Sequence, residues 1–289
     1  MKLQVKFSLI FLLVFGVQLG IVGYVCNGFL QSSAREQVIN QARLMMASSL
    51  ATRTYTENQI KPLIRHSEFV FHPQMVPAYA ATEHFNYLRK EYPEYSYKEA
   101  TLNPTNPRDR AVDWEADVVE IFRNNPDKQN FTGERDTPTG RALYMARPLR
   151  VSAQCLVCHS TPAAAPASLV KTYGTANGFG WKDNEIVGAQ IVSVPMALPV
   201  GMANAAFRQL MTSLMLIAIV VLLVLNVALN LVVVRPVRRF SVMADEISKG
   251  NLDLAELPAS GNDEISTLAQ AFNRMHRSLA RAMKKLDQS

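Results

Sequence analysis

Two long apolar segments dominate the hydrophobic pattern of this chain. The first covers residues 7–30, the second covers residues 209–234, and neither contains a charged residue. About 20 consecutive apolar residues in a helix cross the hydrocarbon core of a bilayer, so the pattern predicts two transmembrane helices. A cleaved signal peptide remains an alternative for the first segment, because the small residues Ser32-Ser33-Ala34 that follow it resemble a cleavage site.

The charges next to these segments predict their orientation. Lys2 and Lys6 precede the first segment, and three arginines follow the second within residues 235–239. Under the positive-inside rule both termini are cytoplasmic, and the long segment between the helices lies outside, in the periplasm of a bacterial inner membrane. The predicted parts are a cytoplasmic N terminus (1–6), a transmembrane helix (7–30), a periplasmic domain (31–207), a second transmembrane helix (209–234) and a cytoplasmic tail (235–289).

Outside the apolar segments the periodicity is mixed. Residues 35–60 and 112–123 have apolar positions at helical spacing, whereas residues 142–151 and 186–195 are rich in strand-forming residues and partly alternate. A turn-rich stretch at 173–184 precedes the last of these. The pattern therefore predicts an α+β fold for the outer domain.

Composition excludes several classes of protein. The 289-residue chain is 48% hydrophobic and 19% charged, with a net charge of +6, and the two apolar segments account for the hydrophobic excess. No dense cluster of Lys and Arg accompanies this charge, so we expect no nucleic-acid partner. Three cysteines cannot form a disulfide scaffold, since one is always left over. No catalytic triad, phosphate-binding loop or paired carboxylates stand out, and we predict that the protein is not an enzyme.

One motif in the outer domain carries specific chemistry. Cys155, Cys158 and His159 form a C-x-x-C-H sequence, the attachment motif of c-type haem. Two thiols three residues apart can reach both vinyl groups of a porphyrin, and the adjacent histidine then becomes an axial ligand of the iron. A redox disulfide needs no such histidine, and a structural zinc site needs a fourth ligand that no second C-x-x-C supplies. We predict one covalent haem c with His159 as the proximal ligand.

The second axial position of the iron is not determined by the sequence. His72 and Met75 are the preferred candidates, because they lie in a segment punctuated by prolines that could form a loop over a haem face. A five-coordinate iron open to a small gas is an equal alternative. The other histidines and methionines considered outside the membrane are His66, His84, Met45 and Met46.

Several further motifs resemble those of a known family, the bacterial haem-c sensor domains with a PAS-like fold. They are Pro77–Tyr79, Tyr97–Pro107, Trp114–Ala116, the C-x-x-C-H, Asn177–Trp181 and Val194–Met196. The resemblance covers most of residues 35–200 and implies a sheet flanked by helices with one covalent haem. Some members use a cysteine as the distal ligand. This chain departs from them, because its only other cysteine, Cys26, lies in an apolar segment.

The cytoplasmic tail resembles a HAMP domain. Pro236 begins a first short amphipathic helix, Gly250 ends it, and the pair Asp263-Glu264 opens a second one after a connector. The apolar residues of the second helix recur in a heptad series, namely Ile265, Leu268, Phe272, Met275, Leu279, Ala282 and Leu286. Two copies would form a parallel four-helix bundle, so we predict a homodimer. Four basic residues near the end of the helix favour the alternative of a tail lying on the membrane. His276 is predicted to be solvated.

The order of haem motif, membrane helix and heptads predicts the function. We expect a membrane-anchored sensor of redox state or of a small ligand such as a gas, which relays its signal through the HAMP helices. No output domain follows before Ser289, so the target is expected to be a separate cytoplasmic protein. The alternatives are a membrane-bound electron-transfer cytochrome, as a subunit of a larger complex, and a structural membrane dimer.

Overall fold

The computed structural model describes residues 3–65 and 70–286, which form two compact units. One unit comprises residues 27–206, and the other comprises residues 1–26 together with 207–289. The helices are α1 Leu3–Tyr55, α2 Lys61–Arg65, α3 Pro77–Leu88, α4 Asp113–Asn124, α5 Ala153–His159, α6 Ala167–Tyr173, α7 Ala197–Leu229, α8 Arg235–Ser248 and α9 Glu264–Leu286. The strands are β1 Ser96–Thr101, β2 Phe131–Thr137, β3 Gly140–Arg150 and β4 Ile186–Pro195.

Both apolar segments lie in helices long enough to cross a membrane. The first lies within α1, and the second runs from α7 into a π-helical turn, Asn230–Val234. Their apolar side chains face outward, as a lipid environment requires. Within this unit the two helices meet, since the Ser8 hydroxyl donates a hydrogen bond to Asn226 Oδ1 over 2.5 Å. The helix predicted over 35–60 is confirmed as far as Tyr55, where a second π-helical turn replaces the α-helix.

A four-stranded antiparallel sheet is the centre of the larger unit. Its strand order is β1-β4-β3-β2. The two strands predicted from the sequence are confirmed as β3 and β4, which form the middle of the sheet. Helices cover both faces of β4, so all nine residues before Pro195 are buried. The strand therefore shows no polar alternation and is apolar or small apart from Gln190 and Ser193.

Each face of the sheet has its own hydrophobic core. Helices α1 and α3 pack on one face through residues that include Val38, Met46 and Phe85. Helix α4 packs on the other face, with Val119 and Phe122 fully buried. A single antiparallel sheet flanked by helices is the arrangement that the family resemblance implies, and the predicted α+β class is confirmed.

A buried ion pair joins α1 to the edge strand β1. Arg53 on α1 donates to Glu99 Oε1, which also accepts a 2.6 Å hydrogen bond from the Tyr97 hydroxyl. The Glu99 side chain is only 3% exposed and that of Arg53 is 24% exposed. Burial, and then the negative charge of Glu99, raise the pKa of the Tyr97 phenol well above its ordinary value. The phenol therefore remains a hydrogen-bond donor at any physiological pH.

The C-terminal part has the helix–connector–helix arrangement predicted from the heptads. Helix α8 ends where Gly250 adopts a left-handed conformation, with φ of +91°. Asn273 on α9 holds the connector, because its side chain bonds both the N–H and the carbonyl of Leu257. The prediction for His276 is wrong: it is 5% exposed, and its Nε2 lies 3.0 Å from the Leu252 carbonyl. The connector covers this residue, which a helical periodicity alone does not reveal.

Candidate haem-binding site

Three strand ends converge to build the site. Helix α5 follows β3 directly, and the turn-rich segment 174–185 leads directly into β4. Since β3 and β4 pair with each other, the end of β3 lies beside the start of β4, and Leu149 pairs with Gly188. The end of β1 reaches the same place, where Thr101 pairs with Gly188. Residues distant in the sequence therefore meet at one edge of the sheet.

The C-x-x-C-H motif forms most of α5. Residues at spacings of three and four lie on the same face of a helix, so Cys155, Cys158 and His159 point to one side. Both thiols are partly exposed, and they are not joined to each other by a disulfide. Cys155 Sγ accepts a hydrogen bond from the backbone N–H of Ser152, 3.5 Å away. The helical geometry thus presents two thiols and an imidazole on one surface.

The ring of His159 is held on two sides. Its Nδ1 lies 2.7 Å from the carbonyl oxygen of Gly178 and 3.3 Å from the Thr105 hydroxyl. Trp181 stacks on the ring with a centroid distance of 4.0 Å and an interplanar angle of 10°. A carbonyl oxygen can only accept, so the bond to Gly178 assigns the proton to Nδ1. The lone pair then resides on Nε2, the nitrogen that a metal would require.

Burial also keeps this imidazole neutral. Desolvation lowers the pKa of His159 below its ordinary value, and the hydrogen bond to the Gly178 carbonyl partly opposes that shift. A neutral imidazole is the form that ligates metals, since protonation would occupy Nε2. Burial therefore favours the neutral ring, and the hydrogen bond to Gly178 selects the tautomer with its proton on Nδ1.

The backbone of the turn-rich segment closes over the end of α5. Gly180 N–H donates to the Ser160 carbonyl over 3.0 Å, and Trp181 N–H donates to the His159 carbonyl over 3.2 Å. These bonds satisfy carbonyls that the short helix leaves without intrahelical partners. Gly178 adopts φ of +83° and lies directly against Thr105. The close approach is possible because glycine has no side chain.

Gly178→Ala should destabilise this site much more than the matched change Gly180→Ala. Both glycines have positive φ, but a Cβ on Gly178 would lie 2.7 Å from the backbone Cα of Thr105, whereas nothing lies within 4 Å of one on Gly180. We expect G180A to cost about 1 kcal/mol from its backbone conformation alone, and G178A to cost at least about 2 kcal/mol more. Thermal unfolding of the two full-length variants measures the difference. Equal losses would show that the contact with Thr105 is not tight.

The donor set fits a haem of the c type. Two thiols and a neutral imidazole with an available Nε2 are the groups that such a haem uses. In addition, the buried Nε1–H of Trp181 finds no acceptor among the described residues. A porphyrin carboxylate is an acceptor of the kind that this donor lacks. Within residues 3–65 and 70–286, no group of three or more His, Cys, Asp or Glu side chains is arranged to hold a bare metal ion.

The segment with the preferred distal candidates lies against α6, the helix that follows the motif. Phe71 N–H donates to the Ser168 hydroxyl over 2.7 Å, and the Phe71 ring meets Tyr173 edge-on with centroids 6.2 Å apart. His72, which is exposed, then precedes a short 3-10 turn, Pro73–Met75, and Met75 is the last residue of that turn. The proline-punctuated loop predicted from the sequence is present, and it is anchored next to the haem-motif region.

The other candidates are placed differently. Met46 is buried in the core between α1 and the sheet, and Met45 packs against the same core. His84 lies on the exposed side of α3. His66 lies outside the described residues. A side chain that fills a hydrophobic core would have to leave that core in order to ligate a metal, so Met46 is a poor candidate for the distal ligand.

A charged cluster extends from the loop that carries Thr105. Arg108 pairs with Glu83 and lies over the ring of Tyr79, 4.8 Å from its centroid. Beside it, burial raises the pKa of the Asp109 carboxyl to about 6, and Arg108 opposes that shift. The cluster ties this loop to α3.

Sequence reasoning missed the residues that seat His159. These residues are Asn103, Thr105, Gly178 and Trp181, and they lie in two of the six motifs that carried the family resemblance, Tyr97–Pro107 and Asn177–Trp181. Nothing in their spacing indicated contact with residue 159. The only local signal was the glycine content of the turn-rich segment, which allows close backbone approach.

Two family models match this chain. A family model described as Tll0287-like matches residues 31–195, which is more than half of the chain. The chain belongs to the Tll0287-like family. A HAMP domain model matches residues 228–281. The predicted resemblance to a haem-protein domain followed by a HAMP domain is thereby confirmed.

One solved structure is similar to this member of the Tll0287-like family. It is the crystal structure of the cyanobacterial haem protein Tll0287, with 15% sequence identity and a TM-score of 0.43. The match covers 54% of this chain and 94% of that chain.

Proposed function

We propose that this protein is a membrane-anchored c-type haem sensor that signals through its HAMP domain to a separate cytoplasmic protein. The observation that carries the proposal is the seating of His159, with Nδ1 bonded to the Gly178 carbonyl and Nε2 available, on the same face of α5 as the two thiols. The Tll0287-like and HAMP matches, together with two helices able to cross a membrane, support a two-pass membrane sensor.

The chain's own residues would hold one haem c as follows. Cys155 and Cys158 would each hold the porphyrin through a thioether to one of its two vinyl groups. His159 Nε2 would ligate the iron, and Trp181 and Gly178 would orient the imidazole ring. A bound haem supplies a one-electron couple and a coordination site for a small ligand. His72 or Met75 would provide the distal ligand, or the position would remain open.

Two routes lead from the site toward the membrane, one along the chain and one through an ion pair. Helix α7 begins two residues after the buried strand β4 ends, and it leads through the π-helical turn into α8 of the HAMP domain. Helix α1 is joined to β1 by the buried pair of Arg53 and Glu99. A change in the haem pocket that shifts the sheet would therefore displace helices that continue toward the membrane.

The heptad face of α9 supports the proposed homodimer. Leu268, Met275 and Leu279 are 49%, 53% and 41% exposed. The buried side of α9 is formed instead by residues such as Ala269 and His276, and His276 contacts the connector at the Leu252 carbonyl. An exposed apolar seam at heptad spacing is a surface that a second helix covers in a coiled coil. The parallel four-helix bundle of two copies would bury it.

We further propose that the haem domain is periplasmic, that both termini are cytoplasmic and that the protein has no enzymatic activity. The flanking positive charges support this orientation. N-terminal sequencing of the mature protein would detect cleavage near Ser32 and so decides whether the first helix is retained.

Redox-dependent cross-linking tests the function. In a Cys26→Ala background, Leu268→Cys and Met275→Cys should be joined between two copies by a bismaleimide, whose thioether product survives the reductant. The yield should change when the haem is reduced or exposed to carbon monoxide. Gln270→Cys is the matched control, since residue 270 lies on the same helix but away from the heptad seam. Yields that are independent of the haem state contradict signalling and favour an electron-transfer cytochrome.

A further inference from the structure

Asn103 holds the peptide group that contacts His159. Its Oδ1 accepts a hydrogen bond from Gly178 N–H over 3.1 Å, and its Nδ2 donates to the Phe179 carbonyl over 3.3 Å. The Gly178 carbonyl, which is 2.7 Å from His159 Nδ1, belongs to the peptide group between these two contacts. One side-chain amide therefore brackets the acceptor of the histidine from both sides.

We propose that Asn103 is a positioning residue that sets how strongly His159 donates to the iron, acting through the Gly178 carbonyl. This inference rests on the proposed function, because it assumes a haem bound through His159. Both contacts of Asn103 are to backbone groups of the turn-rich segment. A glycine at φ of +83° has a wide range of accessible conformations, so the direction of its carbonyl depends on such external contacts.

The chemistry follows from the hydrogen bond at Nδ1. When Nδ1–H donates to a well-placed acceptor, electron density moves toward Nε2 and the imidazole becomes a stronger ligand. A stronger donor stabilises the ferric state more than the ferrous state, and the midpoint potential falls. If the Gly178 carbonyl turns away, the bond weakens and the potential rises. Asn103 would therefore hold the potential low.

The position of Asn103 also connects the ligand to the rest of the sensor. It lies two residues beyond β1, and the intervening Leu102 N–H donates to the Val187 carbonyl of β4. Four residues before Asn103, Glu99 makes the buried pair with Arg53 of α1. A displacement of the histidine that pulls on Gly178 would thus act on the end of a strand that is attached to α1.

Asn103→Ala in the full-length protein tests the inference. We expect the midpoint potential to rise by an amount equivalent to about a tenfold shift in the ferrous-to-ferric ratio, or about 59 mV for a one-electron couple. We also expect the iron–histidine stretching vibration of the ferrous protein to move to lower frequency. Asn177→Ala is the matched control, because this neighbour of Gly178 is exposed and its side chain accepts only from Arg110 among the described residues.

Two further variants keep the test decisive. Thr105→Val removes the more distant partner of Nδ1, 3.3 Å away, and should have a smaller effect on both measurements. Asn103→Asp keeps an acceptor for Gly178 N–H but loses the donor to the Phe179 carbonyl. If N103A does not retain haem, the iron–histidine vibration of N103D tests the role of Asn103 instead. Asn103 variants that match wild type and N177A in both measurements overturn the inference.

The outcome is distinguishable from failure of the proposed function. A shifted potential in N103A, together with cross-linking that ignores the haem state, would support the role of Asn103 and contradict signalling. An unchanged potential in N103A, together with cross-linking that depends on the haem state, would contradict the role of Asn103 and support signalling. A wild-type protein that lacks covalent haem after expression with a complete cytochrome maturation system overturns both.

Discussion

Replacing Cys155 and Cys158 together by alanine should give a full-length protein with no covalently bound haem. Both thioether bonds depend on these two thiols, and no other residue of the motif can form one. In-gel haem staining after denaturing electrophoresis should fall from full signal to background. Any colour that remains in the native protein should be extractable with acidified acetone, because His159 alone holds haem by a dissociable bond.

Cys26→Ala is the matched control for this double variant. It removes the remaining cysteine of the chain, which lies in α1 outside the site, and haem staining should be unchanged. A stained C155A/C158A protein would show that haem is attached elsewhere. A C26A protein without haem would show that the membrane cysteine takes part in attachment.

Arg53→Met should destabilise the haem domain severely. It leaves the Glu99 carboxylate, 3% exposed, without its positive partner in a low-dielectric environment. Breaking a buried ion pair by removing one partner costs about 3–5 kcal/mol. For a domain of this size we expect the thermal midpoint, followed by far-ultraviolet circular dichroism of the full-length protein, to fall by on the order of 10 °C.

The same helix provides a matched control. Arg43 pairs with Glu36 on the surface of α1, where the side chains are 60% and 57% exposed. Arg43→Met should cost at most about 1 kcal/mol, since exposed ion pairs contribute little. The double variant Arg53→Met with Glu99→Met should recover part of the loss, because no charge is then left buried. Equal effects of R53M and R43M would contradict a buried pair between α1 and β1.

Local patterns predicted those parts of the fold that depend on neighbours in the sequence. The apolar segments, the helix that continues beyond the first of them and the strands β3 and β4 all have a periodicity that their environment imposes. Strands β1 and β2 were not predicted. Strand β1 places Lys98 and Glu99 side by side, and each charge is tolerated only because an ion pair on its own face of the sheet compensates it.

The heptad pattern shows the same limit in the HAMP domain. It correctly indicated two amphipathic helices, but it did not show that α9 has two separate faces, the heptad face and a second face that the connector covers. Leu268 and Met275 mark the face that remains exposed in the single chain, whereas Asn273 and His276 mark the face that the connector covers. Polar residues on a covered face look solvated in the sequence, because their hydrogen-bond partners lie more than a dozen residues away.

The sequence by itself determined the chemistry available to this protein: two thiols and a histidine at fixed spacing, two segments apolar enough for a membrane, and heptads after the second of them. Only the tertiary structure decided how His159 is used, because Asn103, Gly178 and Trp181 reach it from two distant loops. Spacing within one helix is set by its covalent geometry. Contacts between loops depend instead on which strands pair, and here the pairing of β1 and β3 with β4 brings those loops together.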